Sequence, residues 1–321
     1  MDVGIGPWIG FNVFVLFLLV LDLGIFNRKA HVVTVKEATM WTAVWVSLAA
    51  IFCGLLYYWK GGGPALSFAT GYLIEYSLSV DNIFVFVLVF STFRVPAEHQ
   101  HRVLFWGILG AIIMRGIFIG VGSALLNKFE WIIYIFGAFL VYSGIKMVFH
   151  KDEEMHPEDN PIVNFFRKFV PMTRNYEGKH FFVRRDGRLM ATPLMLVLVI
   201  VETTDVIFAV DSIPAIFAIT TDPFIVYTSN LFAVLGLRSL YFLLAGVVDK
   251  FYYLKAALAV ILTFVGLKML AGALHYHIST VASLAVIGGT LLIAVIASMM
   301  RAKRIAKLPR SDDSTNVEPP V

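Results

Sequence analysis

Nine stretches of roughly twenty or more mostly apolar residues follow one another along this chain, at about 8–26, 37–59, 65–93, 102–124, 130–149, 191–220, 224–246, 253–273 and 279–300. A run of that length, coiled as an α-helix, matches the hydrocarbon core of a bilayer. Backbone in lipid finds no partner except its own helix, so each run is expected to be helical, or broken only where protein buries the break. The expected fold is all-α: a polytopic membrane helix bundle of nine transmembrane helices. Hydrophobic residues are 59% of the chain and charged residues 15%, which excludes an ordinary soluble domain. The first run carries Arg28 and Lys29 behind it, not in front of it. It therefore reads as an uncleaved span with its N-terminus outside, and not as a signal peptide.

Basic residues set the orientation. If the nine runs cross in turn, twenty lysines and arginines fall on one side, and Lys60 and Lys128 on the other. The N-terminus is then outside and the C-terminus cytoplasmic, which suits a multi-pass protein of a cell inner membrane. The expected organisation is two N-terminal transmembrane helices over 1–64, a three-helix repeat over 65–149 and a cytoplasmic loop over 150–190. A second three-helix repeat over 191–273, a last transmembrane helix over 274–300 and a disordered cytoplasmic tail over 301–321 follow. Within the loop, 164–169 reads as an amphipathic piece at the membrane surface. Asp186-Gly187 reads as a tight turn between two short extended runs.

The two repeats rest on matching strings. Residues 72–89 read YLIEYSLSVDNIFVFVLV and residues 202–219 read ETTDVIFAVDSIPAIFAI. Asp81 aligns with Asp211 and Glu75 with Asp205, both at an offset of 130. Downstream, Arg115 aligns with Arg238 at 123, and Gly-Ile-Lys-Met at 144–147 with Gly-Leu-Lys-Met at 266–269 at 122. Three helices is an odd number, so the second copy crosses the membrane in the opposite sense. Inverted repeats with a site near the midplane are a transporter architecture.

Glu75, Asp81, Glu202, Asp205 and Asp211 all lie inside apolar runs. A charge at the bilayer centre costs roughly 3 kcal/mol on insertion scales, so these acids are expected to face a polar interior. Two intramembrane arginines, Arg115 and Arg238, do not neutralise five carboxylates, which leaves charge for a mobile cation. Glu202 and Asp205 share a helix face. Six residues turn a straight helix by about 240°, so Glu75 and Asp81, or Asp205 and Asp211, do not point at one place unless the helix opens. Pro214 suggests such an opening near Asp211, and a matching one is expected near Asp81. Asn82, Thr203, Thr204 and Ser212 are candidate neutral oxygen ligands, and Asp22 a candidate at the cytoplasmic mouth.

No histidine or cysteine accompanies these acids; the eight histidines sit at span ends or in loops, and the one cysteine, Cys53, reads as a small core residue. All-oxygen sites suit manganese, magnesium or calcium, whereas copper and zinc favour sulfur and imidazole. The negative excess disfavours an anionic substrate. The Tyr-Asp and Gly-x-Gly-Asp strings of intramembrane aspartyl proteases are missing, and Gly61-Gly62-Gly63 reads as an external turn, not a phosphate loop. No enzymatic activity, resident cofactor or nucleic-acid partner is expected. The expected partners are a divalent metal ion as substrate, protons as a candidate counter-ion, and the lipid bilayer.

Several strings resemble the TerC family of integral membrane proteins, in its Alx-type branch: LDLGIFNRKAH at 21–31, EYSLSVDNIFVF at 75–86, FFVRRDGRLMATPL at 181–194, TDVIFAVDSIPAIFAIT at 204–220, GLRSLYFLL at 236–244 and GLKM at 266–269. The resemblance covers about residues 8–300. It implies export of manganese, with links to tellurite resistance and to alkaline pH, and it nominates Glu75, Asp81, Glu202, Asp205 and Asp211 as the metal path. A calcium or other cation/proton exchanger, or a membrane scaffold linked to tellurite resistance, are the alternatives.

Overall fold

The computed structural model describes residues 4–21, 33–129, 131–149, 168, 170–173, 175–185, 187–245, 252–273, 276 and 278–306. In chain order its elements are α1 (Ile5–Leu21), α2 (Val35–Lys60), α3 (Gly62–Thr92), α4 (Ala97–Lys128), α5 (Ile132–Phe149), β1 (Phe182–Arg185), β2 (Arg188–Ala191), α6 (Pro193–Phe217), α7 (Pro223–Leu235), α8 (Leu237–Leu244), α9 (Leu254–Ala273) and α10 (Thr280–Ala306). Among the described residues, seven helices are long and apolar enough to cross a membrane. The pair α7–α8, bent by 40°, makes an eighth span if counted as one, and α1 is a shorter apolar helix of 17 residues. The chain is a polytopic helical membrane protein.

Local chemistry explains where these helices start and turn. Thr34 caps α2 by accepting from the Glu37 backbone N–H at 3.3 Å, the Thr-x-x-Glu pattern of a helix start. Gly61 alone joins α2 to α3, and its φ of 89° favours glycine there. Asp222 caps α7 by accepting from the Phe224 and Ile225 N–H groups, with Pro223 in the first turn. β1 and β2 pair antiparallel with Arg185 opposite Arg188, and Gly187, between the strands, has φ 75°. The Tyr176 hydroxyl donates to the Phe93 carbonyl at 2.7 Å, tying the segment before the hairpin to the end of α3. Asp22, residue 186, most of 164–169 and the tail from 307 lie outside the described residues.

One expectation is corrected. α3 runs unbroken through Asp81, and α6 runs unbroken through Asp211 with Pro214 inside it. Pro214 lies only three residues before the end of α6, where it removes a single ladder bond and the helix tolerates the loss. The break falls instead at Gly236, between α7 and α8.

α7 is the innermost helix: every residue from Phe224 to Leu235 is buried. One core of the bundle joins α1, α2, α3 and α7 through Phe11, Phe52, Phe68 and Phe232. Another joins α3, α6, α8 and α9. Helix α4 packs on α6 and α7, and α5 lies along α9 as the most extensive helix pair.

Candidate functional site

Because α7 is enclosed on all sides, its polar residues must find partners within the protein. Thr228 and Ser229 return hydrogen bonds to their own helix, to Phe224 and Val226 carbonyls. Asn230 instead reaches outward. Its Nδ2 donates to Glu75 Oε2 of α3 at 3.0 Å, and its Oδ1 accepts from Arg115 Nη1 of α4 at 3.0 Å.

Arg115 is wholly buried and is the hub of this cluster. Its Nε and Nη2 donate to the two carboxylate oxygens of Asp205 on α6, at 3.2 and 3.0 Å, a bidentate pairing. Its Nη1 also bonds Glu75 Oε1. Asn82 Nδ2 donates to Asp205 Oδ1 at 3.3 Å. Glu75 and Asp205, the two acids that align at an offset of 130 in the sequence, thus meet on one guanidinium with less than 5% of either residue exposed. Taking two carboxylates and a guanidinium out of water is costly, and only this dense hydrogen bonding makes it tolerable.

The other nominated residues sit elsewhere. Glu202 is half-buried one turn before Asp205, and its carboxylate fills the space over Gly110 of α4 where a Cβ would stand. Asp211 is half-buried and accepts from the Ser143 hydroxyl of α5 at 3.0 Å. Asp81 is partly exposed on α3. Arg238, buried at the start of α8, lines a small pocket with Glu37, Trp41 and His101 and does not join the central cluster. Thr203 and Thr204 donate to the Val199 and Val201 carbonyls of their own helix. Among the described residues no three His, Cys, Asp or Glu side chains converge as a metal cage. Straight helices explain this: a 240° separation sends Asp81 and Asp211 away from the side that holds Glu75 and Asp205.

Asn230 is the central residue that the sequence reading passed over. Its signal was present: an amide inside the apolar run 224–246 needs a polar partner. Small residues on α4 were a second signal. Gly107 and Gly110 leave room for α6 to approach, with a Cβ on Gly107 meeting Val201 at 3.1 Å.

Residues 61–306 match the integral membrane protein TerC family. The chain is 53% identical over 308 residues to "Uncharacterized membrane protein STKORF319" of Myxococcus xanthus, covering 96% of this chain and 95% of the relative. It is 52% identical over 298 residues to the Escherichia coli K12 protein named "Putative membrane-bound redox modulator Alx", covering 90% and 92%. A Rickettsia felis "Uncharacterized membrane protein" is 43% identical over 300 residues, covering 93% and 99%. No solved structure matches this chain.

Proposed function

Because the chain belongs to the TerC family of integral membrane proteins, we propose that it exports a divalent metal cation, manganese foremost, across the cell inner membrane. The observation that carries this reading is the meeting of Glu75 and Asp205, one from each repeat, on a single buried centre. Buried intramembrane acids are expensive, and where they occur they mark ion pathways or proton relays. Their neighbours Asn82 and Asn230 supply oxygen and no sulfur or imidazole, the donor chemistry of manganese, magnesium and calcium. The remainder of the path is assigned to Glu202, one turn before Asp205, and to Asp81 and Asp211, which point away from this centre; Thr204, Arg238 and Asp22 are further candidates. Manganese over calcium follows from the family resemblance; a calcium or other cation/proton exchanger would use the same oxygen set.

The reading includes nine spans, with α1 as the first, the N-terminus outside and the C-terminus cytoplasmic. It also includes an inverted repeat of 65–149 and 191–273. Reciprocal packing of α5 against α9 supports that repeat. A Cβ on Gly144 would meet the Ala259 carbonyl at 2.8 Å and the Thr263 N–H at 2.9 Å. A Cβ on Gly266 would meet the Gly137 carbonyl at 2.8 Å and the Val141 N–H at 2.8 Å. Subtracting the offset of 122 converts 266, 259 and 263 into 144, 137 and 141, so the two contacts are one contact seen twice. Such exchange is what a two-fold axis between the repeats produces. A thiol-based redox role has little to stand on here, since Cys53 is the single cysteine and its Sγ donates to the Ala65 carbonyl at 3.4 Å.

Metal uptake into inverted membrane vesicles tests the reading. Vesicles holding the protein are expected to take up manganese above control vesicles, with calcium and magnesium compared with and without a pH gradient. Uptake at control level for all three cations would remove it.

A further inference from the structure

Two buried oxygens beside the acid pair accept no hydrogen bond. Asn82 Oδ1 has no partner although Asn82 Nδ2 holds Asp205. The Ser212 hydroxyl faces the Glu75 carboxylate, to which it can donate, while its Oγ accepts from no group. Both residues are about as buried as residues in this protein become, at 1% and 2% exposure. An unsatisfied buried acceptor is uncommon in a native protein and calls for a cause. Here the two are related: 82 and 212 differ by 130, the offset that also relates Glu75 to Asp205. Glu75 and Asp205 hold the Arg115 guanidinium between them, with Ser212 against Glu75 and Asn82 against Asp205.

That arrangement is a cation seat with a tethered cation in it. A guanidinium carries one charge and donates to acceptors in its own plane. It satisfies Glu75, Asp205 and Asn230 but makes no bond to Asn82 Oδ1 or Ser212 Oγ. A hard divalent ion takes six or more oxygens from all directions, and a charge of two matches two carboxylates where one guanidinium leaves a negative charge over. We infer that Arg115 is a built-in competitor of the transported cation: it fills the Glu75–Asp205–Asn82–Ser212 seat when the seat is empty of cargo, and cargo binds by displacing it. The inference rests on the transport reading above and adds the coordinating oxygens and the device that keeps an unloaded site from standing open. Arg238, the repeat counterpart of Arg115, lies outside the seat.

Melting of the purified full-length protein, titrated with manganese, calcium or magnesium chloride, tests it. Arg115→Met keeps the apolar stem and removes the charge. Its cation-free form is expected to melt below wild type, and divalent cation is expected to restore it with a midpoint at least tenfold lower than wild type. A purely structural arginine would give the lower melting point with an unchanged cation midpoint, and that result overturns the inference. If Arg115→Met cannot be purified, Arg115→Lys decides. A point charge does not span both carboxylates, so a several-fold lower midpoint supports the inference and a wild-type midpoint overturns it. Ser212→Ala is expected to leave cation-free melting unchanged and raise the midpoint several-fold; an unchanged midpoint overturns the four-oxygen seat. A shift of equal midpoint in wild type and Arg115 variants removes the competitor alone. No cation-dependent shift in any protein, together with control-level vesicle uptake, removes the transport reading with it.

Discussion

At the scale of single residues, charge inside an apolar run is the easiest thing to read and the grouping of those charges the hardest. Glu75, Asp205 and Arg115 stand out in the sequence because lipid does not tolerate them alone. That Arg115 would hold both acids, with Asn230 completing the set, depends on how four helices pack, which periodicity does not encode. The geometry makes a direct prediction. Asp205→Asn removes the bidentate partner of a buried guanidinium, and breaking a buried pair from one side costs about 3–5 kcal/mol. The variant is expected to melt lower and to lose manganese uptake in vesicles; wild-type uptake per inserted molecule would place the path elsewhere. A second prediction concerns Gly110. Glu202 fills the volume its Cβ would need. Gly110→Ala is expected to push that carboxylate aside and reduce uptake several-fold. Because α4 and α6 separate only slightly, melting should fall by no more than about 1–3 kcal/mol in stability. Unchanged uptake at normal yield would show that the position of Glu202 is immaterial to transport.

At the scale of helices, the matching strings were legible in the sequence, but what those strings do was not. Gly144 and Gly266 read as members of a Lys-Met motif; their use is to let α5 and α9 approach backbone to backbone. Small residues at helix contacts are the means by which membrane helices pack closely. Helix breaks were misread for a related reason. Pro214 is conspicuous in a sequence, yet near a C-terminus it disturbs little, whereas Gly236 joins two helices at a 40° bend without announcing itself. The contact predicts a symmetric pair of phenotypes. Gly266→Val would drive side-chain carbon into the Gly137 carbonyl, and Gly144→Val into the Ala259 carbonyl. Each is expected to lower stability by about 1–3 kcal/mol, as overpacking does. Thermal melting of the two purified variants checks this, and a loss at one position with none at the other would contradict the reciprocal axis.

At the scale of the whole molecule, orientation follows from charges outside the apolar runs, and the structure supplies two sites at which to test it. Gly63 follows the turn between α2 and α3, and a Cβ built there meets nothing within 4 Å, so cysteine fits without repacking. Arg184 is exposed on β1 of the hairpin between α5 and α6. The basic excess on the hairpin side predicts that the hairpin is cytoplasmic and the α2–α3 turn outside. An odd number of crossings separates these positions: α3, α4 and α5 lie between them. They must therefore face opposite compartments if each of the three helices spans, and the same compartment if one only enters and returns. Cys53 is replaced by alanine as background, since its thiol packs against Ala65 and contributes one weak hydrogen bond. In intact spheroplasts a membrane-impermeant maleimide is expected to label Gly63→Cys and spare Arg184→Cys. After permeabilisation both should react. Labelling of Arg184→Cys alone in intact spheroplasts would invert the molecule and turn export into import through the same acids. Labelling of both would reduce α3–α5 to two crossings, and with that the second repeat would no longer run opposite to the first.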